Sequence, residues 1–100
     1  MPNKRYLAGR RAEYLAKHEL EAEGWEVIRA AGSHGFADLV AFRPSDQVRC
    51  IQVKSVKSAK AVDRLFHEFF EVHPCGRYWT EELWVRWGGG WHKGPVVDAS

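Results

Sequence analysis

The segment ADLVAFRPSDQVRCIQVKS, residues 37–55, constrains the fold of this chain more than any other. Two runs rich in Val, Ile and Phe are separated by RPSDQ, a turn of hairpin length, which predicts two antiparallel strands. Period-two alternation places Asp38 on an apolar face of the first strand, and Gln52 and Lys54 on an apolar face of the second. We therefore expect an acid, an amide and a lysine to lie close together on faces that should be buried.

Helix-like and strand-like segments follow one another along the rest of the chain. The predicted elements are a helix over 5–23, strands over 25–30, 37–42 and 48–56, a helix over 58–73, a strand over 81–87 and a weaker strand or tail over 91–97. The first helix ends at Gly24, and Ser58 is the expected N-cap of the second. This order predicts an α/β fold, a single domain over residues 1–100 whose central mixed sheet is flanked by helices.

The composition is that of a globular protein, with 45% hydrophobic and 28% charged residues. No apolar run approaches the roughly 20 residues that span a bilayer, so we expect no membrane association. The N-terminal MPNKRYLAGRR lacks the apolar core of a secretory signal. We therefore expect a cytoplasmic protein in which Cys50 and Cys75 stay reduced and serve as packing residues.

The net charge of +2 hides a segregation of charges along the chain. Six basic residues and two acids lie between Arg43 and Arg64, whereas residues 13–26 hold five glutamates and one lysine. A basic face of this kind suits a polyanion such as nucleic acid. The alternative is that these are ordinary solvated side chains on a loop and a helix.

A third polar group faces inward from the first helix. The stripe with i, i+4, i+7, i+11 spacing consists of Gly9, Glu13, Ala16 and Leu20. Inward carboxylates need a cation or hydrogen-bond donors. One interpretation is an ion pair between Lys54 and Asp38 at the sheet edge, with Glu13 in solvent. The other is a metal site in which Asp38, Gln52 and Glu13 give oxygen ligands to Mg²⁺ or Mn²⁺. Lys54 would then assist the attack of water on a phosphate.

These residues form an ordered set of motifs that resembles a known family. The motifs are Gly9-x-x-x-Glu13, Ala31-Gly32-Ser33, Asp38-Leu39-Val40-Ala41 and Ile51-Gln52-Val53-Lys54. The last two resemble the PD-(D/E)xK nuclease motif. The whole frame, which covers about residues 5–56, is similar to the archaeal Hjc-type Holliday junction resolvases and their viral relatives. The resemblance implies a restriction-endonuclease-like fold.

The resemblance also implies an activity, a cofactor and a partner. Members of this family are Mg²⁺-dependent endodeoxyribonucleases that cut symmetrically related strands of four-way DNA junctions as homodimers. For this chain we accordingly expect a homodimer that acts on four-way junction DNA, in the host cytoplasm if the chain is viral. Mn²⁺ is the alternative cation.

Site residues are carried over from the family position by position. The implied catalytic residues are Glu13, Ser33, Asp38, Gln52 and Lys54. The implied metal ligands are Asp38, Gln52, Glu13 and the carbonyl of Val53. Gln52 stands where the family has a second acid, which removes one negative charge from the cation site. Tyr14 stands where the resolvases usually have Arg.

Contacts with DNA require basic side chains or free backbone N–H groups. The candidates are Lys4, Arg5, Arg10, Arg11, His34, Lys57, Lys60 and Arg64. No base-reading motif is present, so we expect recognition by junction shape and salt-sensitive affinity. Two alternatives stay open: another PD-(D/E)xK nuclease acting in restriction or repair, and a DNA-binding module whose site Gln52 has silenced.

Four of the five tryptophans lie between residues 79 and 91. In LWVRW both faces of the predicted strand are apolar, so at least one must be covered. A core or subunit interface is the expected use of these tryptophans, and stacking on unpaired bases is the alternative.

Overall fold

Two helices and six strands make up the part of the chain that the computed structural model describes, namely residues 4–30, 37–44, 46, 48–72, 79–94 and 97–98. In chain order the elements are α1 Lys4–Ala22, β1 Glu26–Arg29, β2 Leu39–Phe42, β3 Val48–Ser55, α2 Ala59–Val72, β4 Trp79–Trp87, β5 Gly90–Lys93 and β6 Val97–Asp98. The type and order of every predicted element are confirmed, and the predicted tail resolves into two short strands. Neither described helix is long and apolar enough to cross a lipid bilayer.

Both predicted helix caps form. After α1 the N–H of Trp25 donates to the carbonyl of Leu20 over 3.1 Å and the N–H of Gly24 donates to the carbonyl of Glu21 over 3.0 Å. This pair of hydrogen bonds requires the left-handed backbone conformation that Gly24 adopts at φ 93°. At α2 the N–H of Ala61 donates to the Ser58 hydroxyl over 3.3 Å, which makes Ser58 the N-cap.

The sheet is mixed. Its strand order is β1-β2-β3-β4-β5, and β6 pairs with β4. β1, β2 and β3 form an antiparallel meander, whereas β3 and β4 run parallel and are joined through α2. β5 returns antiparallel to β4 as a hairpin. The predicted α/β architecture with a central mixed sheet is therefore confirmed.

Each helix covers a different face and a different part of this sheet. The core beneath α1 contains Ala12, Ala16, Leu20, Leu39, Ala41, Ile51, Val53 and Trp84. The core beneath α2 contains Val62, Phe69, Leu83 and Val85. β4 contributes to both, because Trp84 points to one face while Leu83 and Val85 point to the other. The prediction that at least one apolar face of this strand is covered is confirmed, and Trp84 serves as a core residue.

The predicted buried face of β2 and β3 is wrong. Leu39 and Ala41 of β2, and Ile51 of β3, are fully buried beneath α1. The alternate face, which carries Gln52 and Lys54, is half-buried or exposed. The physical reason is that α2 packs on β4 and leaves β1 and β2 less covered. Because both faces of β3 carry apolar residues, alternation alone did not distinguish them.

Candidate active site at one end of the sheet

The polar residues singled out in the sequence meet at the end of the sheet where β3 finishes. A cleft of about 330 Å³ opens there between the N-terminal half of α1 and the last residues of β3. Its lining consists of Gly9, Arg10, Glu13, Arg29, Asp38, Val53, Lys54 and Ser55. Elements far apart in the sequence, namely a helix, the end of β1, the start of β2 and the end of β3, thus contribute to one surface.

Asp38 is held in the cleft by the backbone of its neighbours. It directly precedes β2, its N–H donates to the carbonyl of Ile51, and its carbonyl accepts from the N–H of Ala30, both over 2.9 Å. One carboxylate oxygen, Oδ2, accepts a hydrogen bond from the N–H of Val53 over 2.8 Å. A backbone donor of this kind fixes the orientation of a carboxylate without neutralising it. Asp38 therefore presents a charged, oriented group to the cleft.

The ion pair between Lys54 and Asp38, which was one interpretation of the sequence, is not formed. Among the described residues the hydrogen-bond donor to Asp38 is Val53, and Lys54 makes no ion pair with it. Lys54 is exposed, and it lines the cleft. Its ammonium group is accordingly accessible to a ligand that enters.

Glu13 is partly buried at the margin of the α1 core. Its Oε2 lies 3.4 Å from Nη2 of Arg29, and its side chain is 19% exposed, so the interpretation in which Glu13 lies in solvent is wrong. Burial raises the pKa of Glu13, and the negative charge of Asp38 raises it further, while Arg29 and Arg10 lower it. Two carboxylates that repel one another across a cleft are a site at which a cation is stabilised.

The donor set in the cleft fits a hard divalent cation. Glu13 and Asp38 offer carboxylate oxygens and Val53 offers a carbonyl, which are the ligand types that Mg²⁺ and Mn²⁺ prefer. Within the described ranges no group of three or more His, Cys, Asp or Glu residues is placed to hold a metal. Gln52 is half-buried on β3 and is not one of the described residues that line the cleft. A cation bound here would have two acidic ligands from this part of the chain.

Comparison with known proteins agrees with this geometry. No family model and no curated protein matches the chain. A solved structure does: Hjc, a Holliday junction resolvase from the archaeal hyperthermophile Archaeoglobus fulgidus, matches with a probability of 1.00 and a TM-score of 0.56. The two are 26% identical, and the match covers 87% of this chain and 71% of the other.

The chain resembles the Hjc-type Holliday junction resolvases in fold and sequence. The resemblance drawn from the motifs is thereby confirmed, and so is the restriction-endonuclease-like fold. In this resolvase-like chain the cleft lies where the motif residues Glu13, Asp38 and Lys54 converge.

Sequence reasoning missed two residues of the cleft, Arg29 and Ser55. Arg29 is the last residue of β1 and pairs in register with Leu39, the residue after Asp38. The predicted strand of residues 25–30, placed antiparallel to β2, contains enough information to find it. Ser55 follows Lys54 directly, and no signal in the sequence distinguishes it from other strand-end serines.

The predicted DNA contacts fall into three groups. Arg10 lines the cleft. Four others are exposed on α1, on α2 and on the turn before α2: Arg11, Lys57, Lys60 and Arg64. The backbones of Lys4 and Arg5 lie in α1, but their side chains are outside the described part of the structure, and Ser33 and His34 lie outside the described residues altogether.

The basic face expected between Arg43 and Arg64 is not continuous. Arg43 and Arg49 lie over the ring of Trp25, at 4.0 and 4.8 Å from its centroid. Arg49 also donates two hydrogen bonds of 2.6 and 2.7 Å to the buried carboxylate of Glu82. These two arginines are therefore engaged within the protein. The other four basic residues of this segment, Lys54, Lys57, Lys60 and Arg64, are exposed, and of these four Lys54 lines the cleft.

Proposed function

We propose that this chain is a divalent-metal-dependent endodeoxyribonuclease that resolves four-way DNA junctions. The observation that carries the proposal is the cleft in which Glu13, Asp38, the backbone of Val53 and the exposed Lys54 converge. The likeness to the A. fulgidus resolvase supports the same conclusion. Four-way junction DNA is the proposed substrate and partner, and the reducing cytoplasm is the proposed location.

Each cleft residue has a role that follows from its surroundings. Asp38, Glu13 and the Val53 carbonyl would hold Mg²⁺ or Mn²⁺, whose chemistry is to neutralise phosphate charge and to lower the pKa of water. Lys54 places an ammonium group where a phosphate oxygen gains charge during hydrolysis. Arg29 holds Glu13 in the cleft through their ion pair.

The remaining charge of the cleft favours an anionic ligand. Arg10 and Arg29 lie on the side of α1 and β1, while Lys54 lies on the side of β3. Three cationic side chains surround two carboxylates, so the charge of the cleft suits both a metal ion and a phosphodiester. This arrangement binds a phosphate backbone without reading its bases, which agrees with recognition by shape.

We propose further that the active species is a homodimer. Each chain carries one set of the motif residues Glu13, Asp38 and Lys54, and paired cuts in two strands need two sets. An apolar strip on the face of the sheet opposite α1 supports this proposal: Ile28 is 56% exposed, Phe42 is 37% exposed, and Val40 lies between them. A second copy that covers this strip would remove apolar surface from water.

The test is a cleavage assay on a synthetic four-way junction and on linear duplex of the same sequence, each with Mg²⁺ or EDTA. We expect paired nicks at symmetric positions of the junction, only with Mg²⁺, and no cutting of the linear duplex. Equal cutting of linear duplex would instead identify another PD-(D/E)xK nuclease, acting in restriction or repair.

One observation favours a second candidate function, a DNA-binding module without catalysis. Gln52 does not line the cleft, and the described cleft residues supply only two acids. A site with this reduced negative charge binds Mg²⁺ more weakly. The same assay separates the two: a silenced module would bind the junction and leave it uncut with Mg²⁺ and with Mn²⁺.

A further inference from the structure

The hairpin between β4 and β5 carries three consecutive glycines, of which its turn explains two. Gly88 and Gly89 have φ of 64° and 77°, the positive values that both central residues of a type I′ turn require. Gly90 is the first residue of β5, pairs with Trp87, and does not have a positive φ. A Cβ atom added to Gly90 would meet nothing within 4 Å. Neither backbone geometry nor packing therefore requires a glycine at position 90.

Of the other described glycines, only Gly9 shares this property. Gly24 has a φ of 93°, and a Cβ on Gly94 would lie 2.7 Å from the ring of Phe66. Gly9 lies inside α1, has open space around it and lines the cleft. Glycine weakens both helices and strands, and a glycine without a local reason is typical of a place where a ligand approaches the backbone closely. The location of Gly9 at the cleft agrees with that rule, and the same rule indicates that a ligand approaches the backbone at Gly90.

The hairpin tip projects from the same end of the sheet as the cleft. Ser55, which lines the cleft, pairs in register with Arg86, and Arg86 pairs with Trp91. The turn therefore lies two to three residues beyond the level of Ser55, or roughly 7–10 Å further out along the strands. Arg86 and Trp91 share the α1 face of the sheet, because Trp91 packs on the core beneath α1. A ligand that fills the cleft and extends past Ser55 would meet the tip.

The chemistry of the hairpin suits a polyanion. The segment WVRWGGGWHK, residues 84–93, contains Arg86, His92 and Lys93 and no acidic residue. The guanidinium of Arg86 lies 5.3 Å above the ring of Trp91, a contact that holds the charge in place without neutralising it. Lys93, at the far end of β5, is paired with Glu19. Arg86 is therefore the oriented positive charge nearest to the glycine tip.

We propose that this tip is a second DNA contact, in which the backbone of residues 88–90 lies against the sugar–phosphate backbone of the duplex arm that adjoins the cleft. Arg86 binds a phosphate of the same strand. The absence of side chains at the tip permits the close approach, and the contact sets the position of the arm relative to Lys54. This inference rests on the proposed function, since it requires a DNA substrate in the cleft.

The experiment compares junction affinity for the wild type, Gly90→Ala and Gly90→Val, measured with a four-way junction in EDTA so that no cutting occurs. Valine is a good strand former and its Cβ has open space at position 90, so the melting temperature should not fall. We expect Kd to rise about tenfold for Gly90→Val and less for Gly90→Ala, since the loss of one close phosphate contact has about this size. The matched control is Ala22→Val at the exposed far end of α1. It makes the same change in side chain that separates Gly90→Ala from Gly90→Val, and it should leave Kd unchanged.

Hydroxyl-radical footprinting provides a second readout, and its wild-type result does not depend on how well any variant folds. Wild-type protein should protect one backbone stretch in the arm next to the cleavage position, and Arg86→Gln should lose that protection selectively. Wild-type affinity in Gly90→Val, or an unprotected arm in the wild type, would overturn the proposal. If wild type itself fails to bind the junction, the proposed function fails and the hairpin contact fails with it, a result recognisable because all variants then behave alike.

Discussion

The two ends of the sheet carry the same types of charged residue and use them differently. At the end near Trp25, Arg49 and Glu82 form a two-bond ion pair in which Glu82 is 3% exposed, and the indole N–H of Trp84 donates to the same carboxylate over 3.1 Å. At the cleft end, Glu13 and Asp38 repel one another and Lys54 is exposed.

The closeness of the pairing, and not the type of charge, distinguishes the Arg49–Glu82 pair from the residues of the proposed active site, where Glu13 has only a 3.4 Å contact with Arg29. At the closed end, near Trp25, the hydrogen bonds that Arg49 donates to the Glu82 carboxylate raise the pKa of Arg49, so its charge is fixed and internal. At the open end, which holds the cleft, burial and the negative charge of Asp38 raise the pKa of Glu13. The folded chain therefore keeps the charge of Glu13 at a cost in stability. Groups kept in such an unfavourable state are typical of active sites.

The largest expected effect belongs to the closed end. Arg49→Ala leaves the buried carboxylate of Glu82 without its cation, so we expect the free energy of unfolding to fall by about 3–5 kcal/mol. Denaturant unfolding measures this change. The double variant Arg49→Met/Glu82→Leu, which removes both charges of this pair, should lose less. An Arg49→Ala protein as stable as the wild type would show that the pair is not structural.

Lys54→Ala tests the open end. Removing a cation that faces the developing phosphate charge should reduce the cleavage rate by roughly 10²–10³-fold. The melting temperature should not change, because Lys54 is exposed and makes no ion pair with Asp38. Single-turnover cleavage of the junction measures the effect, and Lys17→Ala on α1 is the matched lysine control. Cleavage at the wild-type rate would exclude Lys54 from the site.

Gly9→Ala should act on stability and activity in opposite directions. The new methyl group has open space and improves helix propensity, so α1 should gain about 0.5–1 kcal/mol. The same methyl group occupies the cleft wall, so cleavage should slow. Thermal unfolding and cleavage of one preparation measure both effects. A variant that is more stable than the wild type and equally active would show that Gly9 has no part in the function of the cleft.

The smallest expected effect concerns the pH dependence of stability. Because the pKa of Glu13 is raised in the folded chain, its contribution to stability is fully present below its unfolded pKa of about 4.5 and is lost as the pH rises through the folded value. Glu13→Gln should therefore gain melting temperature relative to the wild type as the pH rises from about 4 to about 7. Glu26→Gln, which changes an exposed acid on β1, is the control. A difference in melting temperature between Glu13→Gln and the wild type that does not change with pH would contradict the burial of the Glu13 charge.

The elements that were predicted well depend on neighbours in the sequence. The glycine stop at Gly24 and the cap at Ser58 each involve a few adjacent residues, and both formed as expected. The motif residues Glu13, Asp38 and Lys54 also met in one cleft. Their meeting follows from the hairpin of β2 and β3 together with the stripe on α1, which are both periodic patterns.

The features that the sequence did not reveal depend on distant parts of the chain. Which face of β3 is buried depends on where α2 settles, and α2 packs on β4. Arg49 and Glu82 are 33 residues apart, so no local pattern links them, and Arg49 was therefore counted among the exposed basic residues. Gln52 is predicted to lie beside Asp38. It shares a face of β3 with Lys54 but lies two residues further from the strand end, and it is not one of the described residues that line the cleft.

The decisive experiment on the cleft is junction cleavage by wild type and by Asp38→Asn, with Mg²⁺ and with EDTA, alongside melting curves and junction affinities. Asp38→Asn keeps the shape of the side chain and its hydrogen bond from Val53 but removes the charge. We expect Mg²⁺-dependent cutting by the wild type and none by Asp38→Asn, at similar melting temperature and affinity. Undiminished cutting by Asp38→Asn, or wild-type cutting in EDTA, would contradict it.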